Sequence, residues 1–134
     1  MVRASKFSEL LGFIALDSVP GQASIALDLS DRHMSTAGRA HGGVLFSLVD
    51  TAMGRAVITE LPKEKGAATL ELKINYFRPV ISGRITAHAK LMNLTKRTAY
   101  LEGELKDEQG KVLARATGTF FVTDTRKVSE RERV

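Results

Sequence analysis

Two hydrophobic periods divide this chain. Residues 44–57 carry apolar side chains at Val44, Leu45, Leu48, Val49, Ala52, Met53, Ala56 and Val57, the three-and-four spacing of one broad helix face. No other stretch is both apolar and helix-length, so this helix is predicted to lie inside. Ahead of it, Ser5 stands where an N-cap belongs, Phe7, Leu10 and Leu11 are expected to face inward, and Gly12 ends a short helix. Phe13 to Val19 reads as a strand and Pro20-Gly21 as a turn. Ile25, Leu27 and Leu29 then alternate with Ser24, Ala26 and Asp28 in a second strand. Ser30 to Ala40 reads as a polar loop.

Period two takes over after the polar link at residues 61–66. Leu70, Leu72, Ile74 and Tyr76 are expected on one strand face, with Thr69, Glu71, Lys73 and Asn75 on the other. Beyond the breaks at Pro79 and Gly83, Ile85, Ala87, Ala89 and Leu91 mark a further strand, and Ala99, Leu101, Gly103 and Leu105 another. Asp107-Glu108-Gln109-Gly110 turns the chain into a last strand through Val112, Ala114, Ala116, Gly118, Phe120 and Val122. Gly103 and Gly118 fall at inward positions, where a missing side chain lets a helix lie close. One buried helix followed by four long antiparallel strands predicts an α+β layer whose sheet curls around the helix. Residues 1–124 read as a single domain and residues 125–134 as a charged tail without apolar period.

Composition narrows the function classes. The 134 residues are 43% hydrophobic and 26% charged, which suits one globular core. With no Cys and three scattered His, there is neither a disulfide nor a zinc-ligand spacing, and no metal or cofactor is expected. The chain lacks a signal-like apolar opening, and its apolar runs fall short of the ~20 residues of a membrane span. A cytoplasmic protein without membrane association is therefore expected. The formal charge of +5 is dispersed and lacks aromatic RNA-binding signatures, so a phosphate-bearing small ligand fits it at least as well as nucleic acid, and no nucleic-acid partner is expected.

Candidate chemistry concentrates on the apolar helix. Asp50 stands in its middle, where a desolvated carboxylate is costly without partners. Ser47 one turn away and Gly43 two turns away are too small to shield it, so this face can admit a ligand or another chain. Gly42-Gly43 opens the helix with N–H groups expected to point outward, aided by the dipole, toward an oxygen bearing negative charge. From Gly42 to Asp50 is about 12 Å along a helix axis. One helix cannot bring both to one carbonyl, and the simplest cooperative arrangement is a two-fold dimer with antiparallel helices.

His41-Gly42-Gly43, followed nine residues after the His by Asp50 in the frame Leu48-Val49-Asp50-Thr51-Ala52, resembles the signature of hot-dog-fold thioesterases of the phenylacetic-acid-degradation (PaaI-like) type. Asn75-Tyr76-Phe77-Arg78-Pro79 and the hairpin from Asp107 to Phe121 extend the match. The resemblance implies a hot-dog fold, hydrolysis of acyl-CoA thioesters with coenzyme A entering as part of the substrate, and a homo-oligomer, either a dimer or a dimer of dimers. It also implies roles. Asp50 would act as general base on water or attack the thioester directly. Gly42 would polarise the carbonyl through its N–H. His41 would set the turn, and Thr69, on the polar strand face, would hold the attacking water.

Ser35 stands six residues before the His, where relatives often carry Asn. With Gly43 and Ser47 it completes the expected substrate contacts near the helix. Lys96 and Arg97 would meet the nucleotide phosphates of coenzyme A or form a solvated turn. His33 and His88 read as surface or strand residues. A hot-dog dehydratase or hydratase is disfavoured, because Arg55 stands where its second catalytic residue, a His five after the acid, belongs. The alternative in a different class is a non-catalytic acyl-CoA-binding module using the same groove.

Overall fold

The computed structural model describes residues 4–128. In chain order, α1 spans Lys6–Leu11, β1 Ile14–Ala15, β2 Gln22–Asp28, α2 Gly42–Ile58, β3 Gly66–Tyr76, β4 Arg84–Leu94, β5 Thr98–Lys106 and β6 Val112–Thr123, with a single 3-10 turn at Asp31–His33. The strands form one antiparallel sheet in the order β1-β2-β4-β5-β6-β3, curled around α2, which packs on β2 through β6. This is the expected hot-dog arrangement. Residues 129–134 of the expected charged tail lie outside the described residues.

The helix face read from the sequence is the buried one. Leu45, Leu48, Val49, Ala52, Met53, Ala56 and Val57 are all buried, and Val44 is half-buried. Burying each of the larger of these side chains contributes about 1.5–3 kcal/mol. Close packing depends on the two inward glycines. A Cβ at Gly103 would stand 2.7 Å from Val49 Cγ2, and one at Gly118 would stand 2.8 Å from Met53 Sδ. The strand faces of β4, β5 and β6 alternate as expected, with Ile85, Ala87, Ala89, Leu101, Leu105, Ala114 and Phe120 in the core.

Three expectations are corrected. Helix α1 forms between the Ser5 cap and Gly12, but Phe7 and Leu10 are exposed, and Ser8 is its buried residue. The helix is too short to present an apolar stripe and docks through its C-terminal end, where the Leu11 carbonyl is bonded by His33. The strand expected over residues 13–19 shrinks to Ile14–Ala15, with only an isolated bridge from Val19 to Gln22 beyond it.

The third correction bears on function. Thr69 pairs with Phe120 but Glu71 pairs with Thr119, so Leu70 is an extra residue in β3. This bulge shifts the alternation by one. Thr69 joins Leu72, Ile74 and Tyr76 on the helix-facing side, and Leu70 turns out to solvent at 61% exposure.

Candidate active site

The N-terminal turn of α2 is held from three directions. His41 is the N-cap, in extended conformation, and its Nδ1 accepts the Gly43 N–H at 2.8 Å. The ring therefore carries its proton on Nε2. The His41 backbone N–H donates to the His33 carbonyl at 2.8 Å. From β3, the Tyr76 hydroxyl donates to the Gly42 carbonyl at 2.6 Å. Burial raises the Tyr76 pKa, which keeps this hydroxyl a donor.

Both glycines are needed for space rather than for backbone freedom, since neither has a positive φ. A Cβ at Gly42 would lie 3.3 Å from the Tyr76 ring, and one at Gly43 3.0 Å from His41 Nδ1. The expectation of two outward donors is corrected to one. The Gly43 N–H is consumed by His41, whereas the Gly42 N–H has no acceptor among the described residues. It is a single unpaired donor at the positive end of a helix of 17 residues.

Behind this turn lies His33, which the sequence reads as a surface or strand residue and the fold buries. His33 is 1% exposed, accepts the Ser30 N–H at Nδ1 and donates from Nε2 to the Leu11 carbonyl at 2.7 Å. It ties the end of α1 and the Ser30 turn to the backbone of His41. Ser35, the residue at the usual Asn position, is in the same loop. Its N–H donates to the Arg39 carbonyl, but its Oγ is buried without a partner among the described residues.

Asp50 and Thr69 meet directly, a contact that the sequence reading, with Thr69 on the polar strand face, did not contain. The Thr69 hydroxyl donates to Asp50 Oδ1 at 2.7 Å. Strict alternation along β3 had put Thr69 on the face away from the helix; the Leu70 bulge turns it toward Asp50. Asp50 is half-buried, and desolvation raises its pKa while the Thr69 bond pulls partly the other way. The carboxylate is therefore a stronger base than an exposed Asp. Ser47 donates its hydroxyl to the Gly43 carbonyl, one turn back, and in turn its own carbonyl accepts from Thr51. It lines the Asp50 face with its hydrogen already committed.

Lys96 and Arg97 are exposed on the β4–β5 turn. Thr98 pairs with Phe121 and Phe121 with Ala68, which places this turn at the Thr69 end of the sheet, remote from Gly42. A cavity of about 430 Å³ opens beside Gly42 and Tyr76, with Arg39 and Arg78 in its wall. His88 lies exposed on β4, hydrogen-bonded to Ser24, as a strand residue. Tyr76, His33, Arg39 and Arg78 are thus the residues near the site that the sequence reading did not assign to it. No spacing rule links Tyr76 to Gly42 across 34 positions.

A family model described as the thioesterase superfamily matches residues 37–114, the segment holding His41, Gly42, Asp50, Thr69 and Tyr76. The chain belongs to the thioesterase superfamily. This thioesterase is similar in structure to an Asn-to-Asp variant of the phenylacetic acid degradation protein PaaI from Thermus thermophilus, with 38% identity over 87% of this chain and 98% of that one and a TM-score of 0.80. It is also similar to a conserved protein of Pseudomonas aeruginosa, at 33% identity over 89% and 94% of the two chains and a TM-score of 0.86. Human acyl-coenzyme A thioesterase 13 is 29% identical over 89% of this thioesterase and 86% of its own length. The reaction class, thioester hydrolysis, follows from the family.

Proposed function

We propose that this thioesterase hydrolyses acyl-CoA thioesters by an Asp50-dependent attack at a subunit interface. The observation that carries this reading is the 2.7 Å bond from Thr69 to Asp50 Oδ1. It fixes one carboxylate oxygen, leaves the other available, and leaves the Thr69 oxygen lone pairs free to accept from water. A water held there loses its proton to Asp50 as its oxygen bonds to the thioester carbon. The carbonyl oxygen becomes an oxyanion, stabilised by the unpaired Gly42 N–H at a helix N-terminus. Collapse of the tetrahedral intermediate breaks the C–S bond, and the departing thiolate recovers the proton. Direct attack by Asp50, through an anhydride, uses the same groups.

Asp50 and Gly42 of one chain stand about 12 Å apart along α2, too far to meet at one carbonyl. The proposal therefore pairs Asp50 of one subunit with Gly42 of another in a homodimer, or in a dimer of such dimers. Two features support it: β3 is a sheet edge with Leu70 exposed, and the Asp50 face of α2 is only partly covered within the chain. No described helix is long and apolar enough to cross a membrane, and we propose the cytoplasm, where CoA esters form, as the compartment.

The test is thiol release from acetyl-, medium-chain, long-chain and aryl-CoA esters by the native protein and by Asp50→Ala. Turnover abolished in an intact Asp50→Ala oligomer supports the reading. Binding of these esters without turnover by the native protein replaces it with an acyl-CoA-binding module.

A further inference from the structure

We propose that His33 is a positioning residue of the reaction: its buried ring fixes the backbone carbonyl that holds His41, and so aims the Gly42 N–H at the thioester oxygen. The inference rests on the proposed thioester hydrolysis for the role of Gly42, and on the bonds around His33 for the hold.

The Gly42 N–H belongs to the peptide between His41 and Gly42, so its direction depends on what holds the two ends of that peptide. On the Gly42 side, the Tyr76 hydroxyl grips the carbonyl at 2.6 Å. On the His41 side, the hold is the 2.8 Å bond from the His41 N–H to the His33 carbonyl. That bond closes a small hairpin, in which Met34 bridges Ala40 and the Ser35 N–H donates to the Arg39 carbonyl at 2.7 Å. Residue 33 and the start of α2 therefore move together. The Ala40 N–H ties one arm of the hairpin to the Val80 carbonyl at 2.7 Å. The other arm is anchored by a side chain, that of His33.

A buried imidazole opposes folding unless both of its nitrogens are bonded, and here both are. Nδ1 accepts the Ser30 N–H at 3.0 Å, closing the Asp31–His33 turn that presents the His33 carbonyl. Nε2 donates to the Leu11 carbonyl at 2.7 Å. The two bonds hold different things. The Ser30 bond is local and sets the direction of the His33 carbonyl. The Leu11 bond tethers α1, a helix whose Phe7 and Leu10 are exposed and whose one buried residue is Ser8. Positioning of Gly42 thus falls to Nδ1, and retention of α1 to Nε2.

Two substitutions separate these bonds. Asn places its amide oxygen where His has Nδ1 and keeps the acceptor for Ser30, whereas Gln places its amide nitrogen where His has Nε2 and keeps the donor for Leu11. On an acyl-CoA ester that the native protein cleaves, His33→Gln should lower kcat about tenfold with KM unchanged, while His33→Asn stays within about twofold of native. Each variant loses one bond at a buried site, so both should melt at lower temperature. A kcat that follows Tm in both variants shows a merely structural residue and overturns the proposal, as does a native kcat in His33→Gln.

A second readout needs no turnover. His41-Gly42 is the only His-Gly step in the chain, so labelling histidine at its carbonyl carbon and glycine at its nitrogen singles out the Gly42 amide resonance. That resonance should move in His33→Gln and keep its place in His33→Asn, with those of Gly103 and Gly118 in the core unmoved in both. A Gly42 resonance untouched by His33→Gln overturns the proposal, and so does one that moves only together with the core glycines. If the native protein cleaves no ester, the proposed function fails and the Gly42 resonance alone decides the hold. If His33→Gln does not fold, His33→Asn decides: a native kcat and Gly42 resonance uphold the proposal, and loss of either overturns it.

Discussion

Thr69 and Asp50 are joined by a 2.7 Å hydrogen bond because one extra residue, Leu70, shifts the register of β3 against β6. The bond orients the carboxylate and leaves the threonine oxygen as an acceptor. Thr69→Val, which removes the hydroxyl and keeps the shape, should lower kcat about ten- to a hundredfold with little change in KM, while Thr69→Ser retains most activity. Steady-state kinetics on an acyl-CoA ester check both.

Asp50→Asn should lower turnover by about 10²–10⁴-fold and yet raise thermal stability at neutral pH. The folded-state pKa lies above the unfolded value of 3.8, so ionised Asp50 opposes folding. That cost is absent below pH 3.8, where both states are protonated, and fully present above the raised folded pKa. Unfolding curves of the two proteins should converge at low pH and separate as pH rises. In the native enzyme the acid limb of the rate profile should be displaced upward from that of an exposed Asp.

Tyr76→Phe keeps the ring against Gly42 and deletes the bond to its carbonyl. A net hydrogen bond contributes about 0.5–1.5 kcal/mol, so kcat should fall about three- to tenfold if the turn loosens in the transition state. Gly42→Ala should be worse, since its Cβ meets the Tyr76 ring at 3.3 Å and the donor must shift. Gly42→Ala/Tyr76→Leu, with that contact relieved, should recover part of the loss relative to Gly42→Ala.

Gly103→Ala should destabilise the fold by about 1–3 kcal/mol, because the new methyl meets Val49 Cγ2 at 2.7 Å and Met53 Cε at 3.0 Å. Chemical denaturation gives the magnitude. Gly110→Ala is the contrast: nothing lies within 4 Å of its Cβ, and its cost comes only from a φ of +80°.

Ser35→Ala removes a buried hydroxyl that has no partner among the described residues. Relief of its desolvation should raise stability by up to about 1 kcal/mol without lowering turnover. A drop in kcat without any gain in melting temperature would show that the hydroxyl is engaged in the working oligomer.

Much of this protein was legible in its sequence because the information is local. The spacing of Leu45, Leu48, Val49, Ala52, Met53, Ala56 and Val57 specifies a helix face, and alternation specifies the inward residues of β4, β5 and β6. Gly103 and Gly118 could be read as contact points for the same reason. His41-Gly42-Gly43 and Asp50 stand in one continuous segment, so their spacing along α2 was readable directly. Phe7 and Leu10 show the limit of such patterns: apolar residues at helical spacing say nothing of what covers them, and the fold leaves them exposed.

What only the tertiary structure decided involves residues distant in the chain. The bulge at Leu70 is a mismatch between β3 and β6, and no pattern within β3 reports it. It nonetheless determines that Thr69 faces the helix. Likewise, the burial of His33 depends on Leu11 and Ser30, and the hold on Gly42 depends on Tyr76, 34 residues later. Periodicity encodes which side of an element is apolar; which atoms meet across two elements depends on their relative register, and that is a property of the packed chain.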